Sequence, residues 1–350
     1  MPQPRVFITR HLPGPALDFL KEKCRLEVWP GELPPPPPEL RRQAAISDGI
    51  LTLLTDAVDR PLFGAASDRL RVVSNMATGY DNIDVKAATE HAVLITRTPG
   101  VLSETTADFA FALILVVARR VVEADRYVRH GRWQTWGPET LLGCDVHDAT
   151  LGIVGMGGIG RQVARRARGF GMRIFYNSRT AKPGLERRYR MQLVDLDRVF
   201  AESDIITLHA PLNPETRGMV NQGRLRLMKP SAVLVNTARG PLVDHAALHA
   251  ALKEGRIAGA ALDVTDPEPL PADHPLLSLE NVVLTPHIAS ASIATRSRMA
   301  MLAAGQLVEA LEGRPPRNVV NPSVIPRWRE RMRESGGYGQ KSAEMPFISP

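Results

Sequence analysis

The chain has 350 residues, enough for two domains with cores of their own, and 44% of them are hydrophobic, an ordinary share for a globular protein. Its longest apolar run, residues 109–118, is too short to span a bilayer, and its two cysteines, Cys24 and Cys144, have neither metal nor redox spacing; both facts fit a reducing, cytoplasmic setting. A net charge of +7 could draw nucleic acid, but Arg161, Arg165 and Arg168 recur at helical spacing as a solvated helix face would, so neither a nucleic-acid nor a membrane partner is expected.

In chain order, strand signals at 6–9, 26–29, 49–54 and 72–75 alternate with helical patterns at 15–23 and 39–45. Such alternation predicts an open parallel α/β sheet. No targeting leader is expected ahead of the strand that follows Arg5. The five prolines at 34–38 read as a stiff surface loop before the second helix rather than as a ligand for a proline-reading module. Residues 105–120 read as a buried helix.

A strand–turn–helix–strand unit then occupies 150–179. The apolar strand at 151–154 runs into Gly155, Gly157 and Gly160 at G-x-G-x-x-G spacing, and a second strand follows at 174–176. Gly155 serves the tight turn, Gly157 lets the backbone approach phosphate, and Gly160 lets helix and strand pack closely; together they predict a dinucleotide site. Selectivity for NAD usually needs Asp or Glu near the end of the second strand. Here Asn177 is followed by Ser178, Arg179 and Thr180, a guanidinium and two hydroxyls that suit a 2′-phosphate. NADP (as NADPH) is therefore the expected cofactor, with NAD as the alternative.

Beyond that unit, strands are predicted at 204–209, 232–236, 258–263 and 282–285, separated by helices at 193–201, 221–227 and 245–254. The pattern is doubly wound, with a ligand crevice at the carboxyl ends of the strands. A helix over 291–312 is expected to return to the first domain. Residues 327–350 lack periodicity and are expected to form a poorly ordered tail.

Three residues sit just past predicted strand ends: Arg239, Glu268 and His287. Together they make the apparatus for reducing a 2-oxo acid. The guanidinium can grip the carboxylate and polarise the carbonyl, the imidazole can protonate the oxygen as hydride arrives, and the carboxylate can orient the imidazole. No metal is called for. His209 ends a strand and is expected to line the cofactor crevice, whereas His245 and His249 lie on a helix without ligand partners.

The blocks GMGGIG, HAPLNPET, VNTARGPLVD, AALDVTDPEPL and NVVLTPHIASAS follow the order and spacing of the D-isomer-specific 2-hydroxyacid dehydrogenases. VFITRHLP, NMATGYDNID and TADFAFALIL add to the match, which covers residues 5–322. Within the family the chain most resembles the glyoxylate/hydroxypyruvate reductases. The resemblance implies two doubly wound parallel-sheet domains with a cleft between them: a flavodoxin-like substrate domain over 1–100, completed by 288–326, and a Rossmann dinucleotide-binding domain over 101–287. It implies Arg239 as the substrate-binding arginine, Glu268 as the acid partner and His287 as the proton donor. The amides of Ala77, Thr78 and Gly79 would receive the substrate carboxylate. Gly158, Ile159, Gly160 and Arg161 match the pyrophosphate turn, and Ser178, Arg179 and Thr180 the 2′-phosphate segment. Thr237, Ala238 and Asp263 match positions near the nicotinamide, and Thr106 a cofactor-facing residue at the hinge. Pro211, Thr216 and Ala289 complete the expected cofactor contacts. A homodimer is implied, with residues 119–143 reaching across.

Two departures stand out. Relatives often carry Arg where this chain has Gly158, and some place a Trp near Thr140, where the nearest here is Trp136; the preference between glyoxylate and hydroxypyruvate is left open. The alternatives are a dehydrogenase for a bulkier 2-oxo acid and a dinucleotide sensor resembling the C-terminal-binding-protein corepressors. That no regulatory domain is expected after 322 weighs against the larger phosphoglycerate enzymes.

Overall fold

A computed structural model describes residues 3–334. The chain divides into two compact units, Met1–Leu102 together with the segment from Ser292 onward, and Ser103–Ala291. The sequence had suggested borders after residues 100 and 287.

The first unit holds β1 (Arg5–Ile8), α1 (Ala16–Lys23), β2 (Arg25–Val28), α2 (Pro37–Ile46), β3 (Gly49–Thr52), α3 (Arg60–Ala65), β4 (Val72–Asn75), α4 (Val85–Glu90) and β5 (Leu94–Thr96). The second holds α5 (Ser103–Ala118), α6 (Val121–Arg129), β6 (Thr150–Val154), α7 (Gly158–Ala167), β7 (Arg173–Asn177), α8 (Pro183–Tyr189), β8 (Met191–Leu193), α9 (Leu196–Glu202), β9 (Ile205–Leu208), α10 (Gln222–Leu227), β10 (Val233–Asn236), α11 (His245–Lys253), β11 (Gly259–Leu262) and β12 (Val282–Leu284). The helices α12 (Ile293–Leu311) and α13 (Ile325–Glu334) belong to the first unit.

Both sheets are parallel throughout. The first has the order β2-β1-β3-β4-β5 and the second β12-β11-β10-β9-β6-β7-β8. Parallel strands need cover on both faces, and β3, β4, β9, β10 and β11 are buried along their whole length. Part of that cover in the first unit comes from α12: Ser74 Oγ donates to the Ala303 carbonyl at 2.8 Å, and Gly49 leaves room for Leu307. Strand order reverses between β6 and β9, which puts a ligand crevice at the carboxyl ends there.

Two expectations need correcting. The proline run is not all loop: Pro37 and Pro38 open α2, where a missing N–H leaves nothing unsatisfied and a fixed φ suits the helix. Nor are residues 327–334 a loose tail. They are helical, with Trp328 fully buried and Met332 5% exposed. Arg327 donates to the Glu90 carbonyl at 3.2 Å, and Arg331 to those of His91 at 2.6 Å and Ser67 at 3.1 Å, so the guanidiniums satisfy carbonyls at and just past the end of α4 and one just past α3. The apolar stripe was hidden among arginines. The rest of the expected tail, 335–350, lies outside the described residues.

Candidate active site

The glycine turn of the second unit is shaped by close approach. Gly155 has φ +97°, and a side chain there would meet the His209 and Ala210 backbone at 2.6 Å. A Cβ on Gly160 would strike the Gly155 carbonyl, so helix α7 can sit on β6 only with glycine at that position. By contrast, Gly157 has open space where its Cβ would be, and as the N-cap of α7 it supplies no side-chain cap. The first amides of α7, from Gly158, Ile159 and Gly160, thus begin beside open space, with Arg161 exposed one position on. Glycine at 158 has a local reason too, since a Cβ would come within 2.9 Å of Ser103 Oγ.

At the end of β7 the Asn177 carbonyl accepts from Gly155 N–H at 2.9 Å, and its side-chain amide donates to the Val194 carbonyl at 3.0 Å. Its carbonyl therefore braces the glycine turn, and its side chain ties β7 to the end of β8. Ser178 is half-buried, while Arg179 and Thr180 are exposed. Lys182, which sequence reasoning missed, donates from Nζ to Thr180 Oγ1 at 2.7 Å. Its backbone N–H donates to the Tyr176 hydroxyl, which in turn donates to Glu186 at 2.6 Å. The signal was present in the run Arg179–Thr180–Ala181–Lys182, where a second cation follows the first.

Around the expected nicotinamide, Thr237 is buried and its hydroxyl has no partner among the described residues. His209 places Nε2 3.0 Å from Thr207 Oγ1, and its Nδ1 is likewise unpartnered. Burial pushes the His209 imidazole down to about 3, so the ring is neutral at ordinary pH. Unpartnered buried polar atoms beside an open, amide-lined turn are what a dinucleotide would need. Thr106 is buried as well. Thr216 fastens its own loop, with Oγ1 donating to the Pro211 carbonyl at 2.7 Å and accepting from Asn213 N–H at 2.9 Å.

The reactive side chains leave three neighbouring strands. Asn236, Leu262 and Leu284 are aligned in register at the ends of β10, β11 and β12. Arg239, Glu268 and His287 follow them. His287 Nδ1 donates to Glu268 Oε1 at 2.5 Å, with the two side chains 22% and 36% exposed. Cis peptide bonds precede Pro267 and Pro269 on either side of Glu268. The Arg239 turn is pressed against the same loop, since a Cβ on Gly240 would strike the Thr265 backbone. Asn236 holds that turn by donating to the Arg239 carbonyl at 2.8 Å and accepting from Ala238 N–H at 3.0 Å.

Asp263 organises the histidine loop. It is buried, and it accepts from the Thr285 hydroxyl at 2.6 Å and from the amides of Ile288 at 2.9 Å and Ala289 at 2.8 Å. His287 N–H donates to the Asp263 carbonyl at 2.9 Å. His287 itself has φ +54°, a left-handed conformation that costs a non-glycine residue about 1–2 kcal/mol. The hydrogen bonds around Asp263 hold it there.

The first unit carries the other expected group. Ala77 N–H already donates to the Asn75 carbonyl at 2.8 Å, and the Ala77 carbonyl accepts from Thr98 N–H. The amides of Thr78 and Gly79 have no acceptor among the described residues, so they, rather than all three, can receive an anion. Thr78 Oγ1 donates to the Thr98 carbonyl at 3.1 Å, and Asn75 Nδ2 to the Gly79 carbonyl at 3.1 Å.

Residues 111–289 match the model of the D-isomer specific 2-hydroxyacid dehydrogenase NAD-binding domain. The glyoxylate reductase of Korarchaeum cryptofilum is 52% identical over 324 residues, covering 92% of this chain and 97% of that protein. The chain belongs to the D-isomer-specific 2-hydroxyacid dehydrogenases. Among solved structures, a Thermus thermophilus protein superposes with a TM-score of 0.85 at 48% identity, covering 90% of this dehydrogenase and 99% of that chain. The NADPH-dependent glyoxylate/hydroxypyruvate reductase of Sinorhizobium meliloti, solved with NADP and malonate, gives 0.79 at 32% identity, covering 93% and 98%. As the family implies, the dehydrogenase has two parallel-sheet α/β domains. No helix among its described residues is long and apolar enough to cross a membrane.

Proposed function

We propose that this dehydrogenase reduces glyoxylate to glycolate, and hydroxypyruvate to D-glycerate, using NADPH. The observation that carries the reading is the Glu268–His287 pair, held at 2.5 Å on a loop whose backbone is pinned by Asp263. Glu268 accepts a hydrogen bond from Nδ1–H, which leaves Nε2–H to donate the proton to the carbonyl oxygen. Arg239 grips the carboxylate and polarises the carbonyl through paired N–H groups. In the first unit, the amides of Thr78 and Gly79 are the donors proposed to receive a carboxylate. When bound, the reduced nicotinamide supplies the hydride.

The residues that would hold that cofactor are the amides at 158–160 for the pyrophosphate, Thr106, His209 and Thr237 toward the nicotinamide, and Ser178, Arg179, Thr180 and Lys182 for a 2′-phosphate. Two cations and two hydroxyls with no carboxylate among them favour NADPH. The neighbour solved with NADP supports the choice.

We also propose a homodimer. Val121, Val128 and Leu142 are exposed on 119–143 together with Trp133 at 60% and Trp136 at 79%, an apolar surface that a second copy would cover. A reducing cytoplasm suits the two free cysteines.

Initial rates with glyoxylate, hydroxypyruvate, pyruvate and phenylpyruvate, each with NADPH and NADH, test the reading. The expected order of kcat/KM puts glyoxylate and hydroxypyruvate with NADPH first. A preference for phenylpyruvate, or for NADH, overturns the corresponding half.

A further inference from the structure

The loop proposed to receive the carboxylate is fastened from one side by a cation that the mechanism has not used. Arg97 follows β5, and its Nη1 donates to the Thr78 carbonyl at 3.2 Å. Its guanidinium carbon lies 5.4 Å from the centre of the Tyr80 ring. The backbone of Arg97 is anchored in both directions: its N–H donates to the Asn318 carbonyl at 3.3 Å, and its carbonyl accepts from Gln306 Nε2 at 2.9 Å. No carboxylate among the described residues pairs with this guanidinium.

The Thr78 carbonyl and the Gly79 N–H belong to the same trans peptide, so they point in opposite directions in one plane. A guanidinium bonded to the oxygen therefore fixes where the N–H is aimed. It also draws electron density toward the oxygen, which makes the N–H a stronger donor. A positive charge with no carboxylate paired to it among the described residues adds attraction for an anion at the same loop.

We infer that Arg97 is a positioning residue for the substrate carboxylate, acting through the Thr78–Gly79 peptide. The inference rests on the reading of this loop as the carboxylate receiver. Because the carboxylate is unchanged by the reaction, its bond to Gly79 is as strong in the ground state as in the transition state. Weakening such uniform binding raises KM and leaves kcat nearly alone.

Steady-state kinetics of R97M, R97Q and R97K against the wild type, with glyoxylate and NADPH, test this. R97M is expected to raise KM for glyoxylate about tenfold, with kcat and KM for NADPH within about twofold. R97Q, which keeps a neutral donor, and R97K, which keeps the charge without the planar fork, should each recover part of the loss. Added salt should raise the wild-type KM for glyoxylate more steeply than that of R97M. Should R97M fail to fold, R97Q and R97K decide by the same split. Glyoxylate KM values unchanged in all folded variants overturn the inference, as does an equal loss in kcat and in KM for both ligands, the mark of a merely structural role. A wild-type protein that reduces no 2-oxo acid overturns the proposed activity; an active wild type with indifferent variants overturns only the role of Arg97.

Discussion

The carboxyl ends of the two parallel sheets are built in opposite ways. Past β10, β11 and β12 the groups proposed to act are side chains, Arg239, Glu268 and His287, and the backbone is scaffold: Asp263 takes up the amides of Ile288 and Ala289, which fixes the histidine loop. Past β4 and β5 the groups proposed to act are the backbone amides of Thr78 and Gly79, and the side chains are scaffold, with Asn75, Thr78 and Arg97 all donating to carbonyls of this loop or of its neighbour. The lesson is that a proton must be moved by a titratable side chain, whereas an unreacting carboxylate can be held by peptide dipoles.

The sharpest way to break that comparison is His287→Ala. If a side chain moves the proton, kcat should fall about 10²–10⁴-fold, while KM for NADPH stays near the wild-type value. Steady-state rates with glyoxylate check it, and an unchanged kcat would mean that the histidine loop is scaffold like the other. A smaller effect tests the cofactor end of the same sheet. Replacing Arg179 and Lys182 together by Ala should raise KM for NADPH about 10–100-fold, the worth of losing charged hydrogen bonds to a phosphate, and leave KM for NADH almost untouched. Equal losses with both coenzymes would leave the 2′-phosphate reading without support.

This contrast also explains what was legible in the sequence. Groups proposed to act through side chains announce themselves by residue type at a strand end, as Arg239, Glu268 and His287 do, and the glycines at 155 and 160 stand where a Cβ would strike backbone. Groups that act through the backbone carry no such mark. That Ala77 N–H is already occupied depends on a local turn to Asn75, and that Arg97 bonds the Thr78 carbonyl depends on β4 and β5 lying side by side. Lys182 was hidden because its relevance comes from reaching back to Thr180. In the fold, most strands of both sheets were visible as apolar runs, while β5 and β8, of three residues each, were not. The buried stripe of α13 was masked by arginines whose partners are carbonyls near the end of α4.

The smallest effect concerns His209, a side chain at the carboxyl end of β9 proposed to line the cofactor site rather than to move a proton. Burial holds its ring neutral down to about pH 3, whereas in the unfolded chain it protonates near the ordinary value of 6.5. Between those values the unfolded state binds more protons than the folded one, so stability falls as pH falls, by up to about 1.4 kcal/mol per pH unit. The contribution is complete above 6.5 and drains away toward acid, the sign expected of a base whose folded form is held uncharged. His209→Gln, which cannot titrate, should lose less stability than the wild type between pH 7 and pH 5.5. Urea unfolding midpoints at the two values measure the difference. Parallel losses in the two proteins would mean that the ring is protonated in place, and His209 would then join the acting side chains of its sheet.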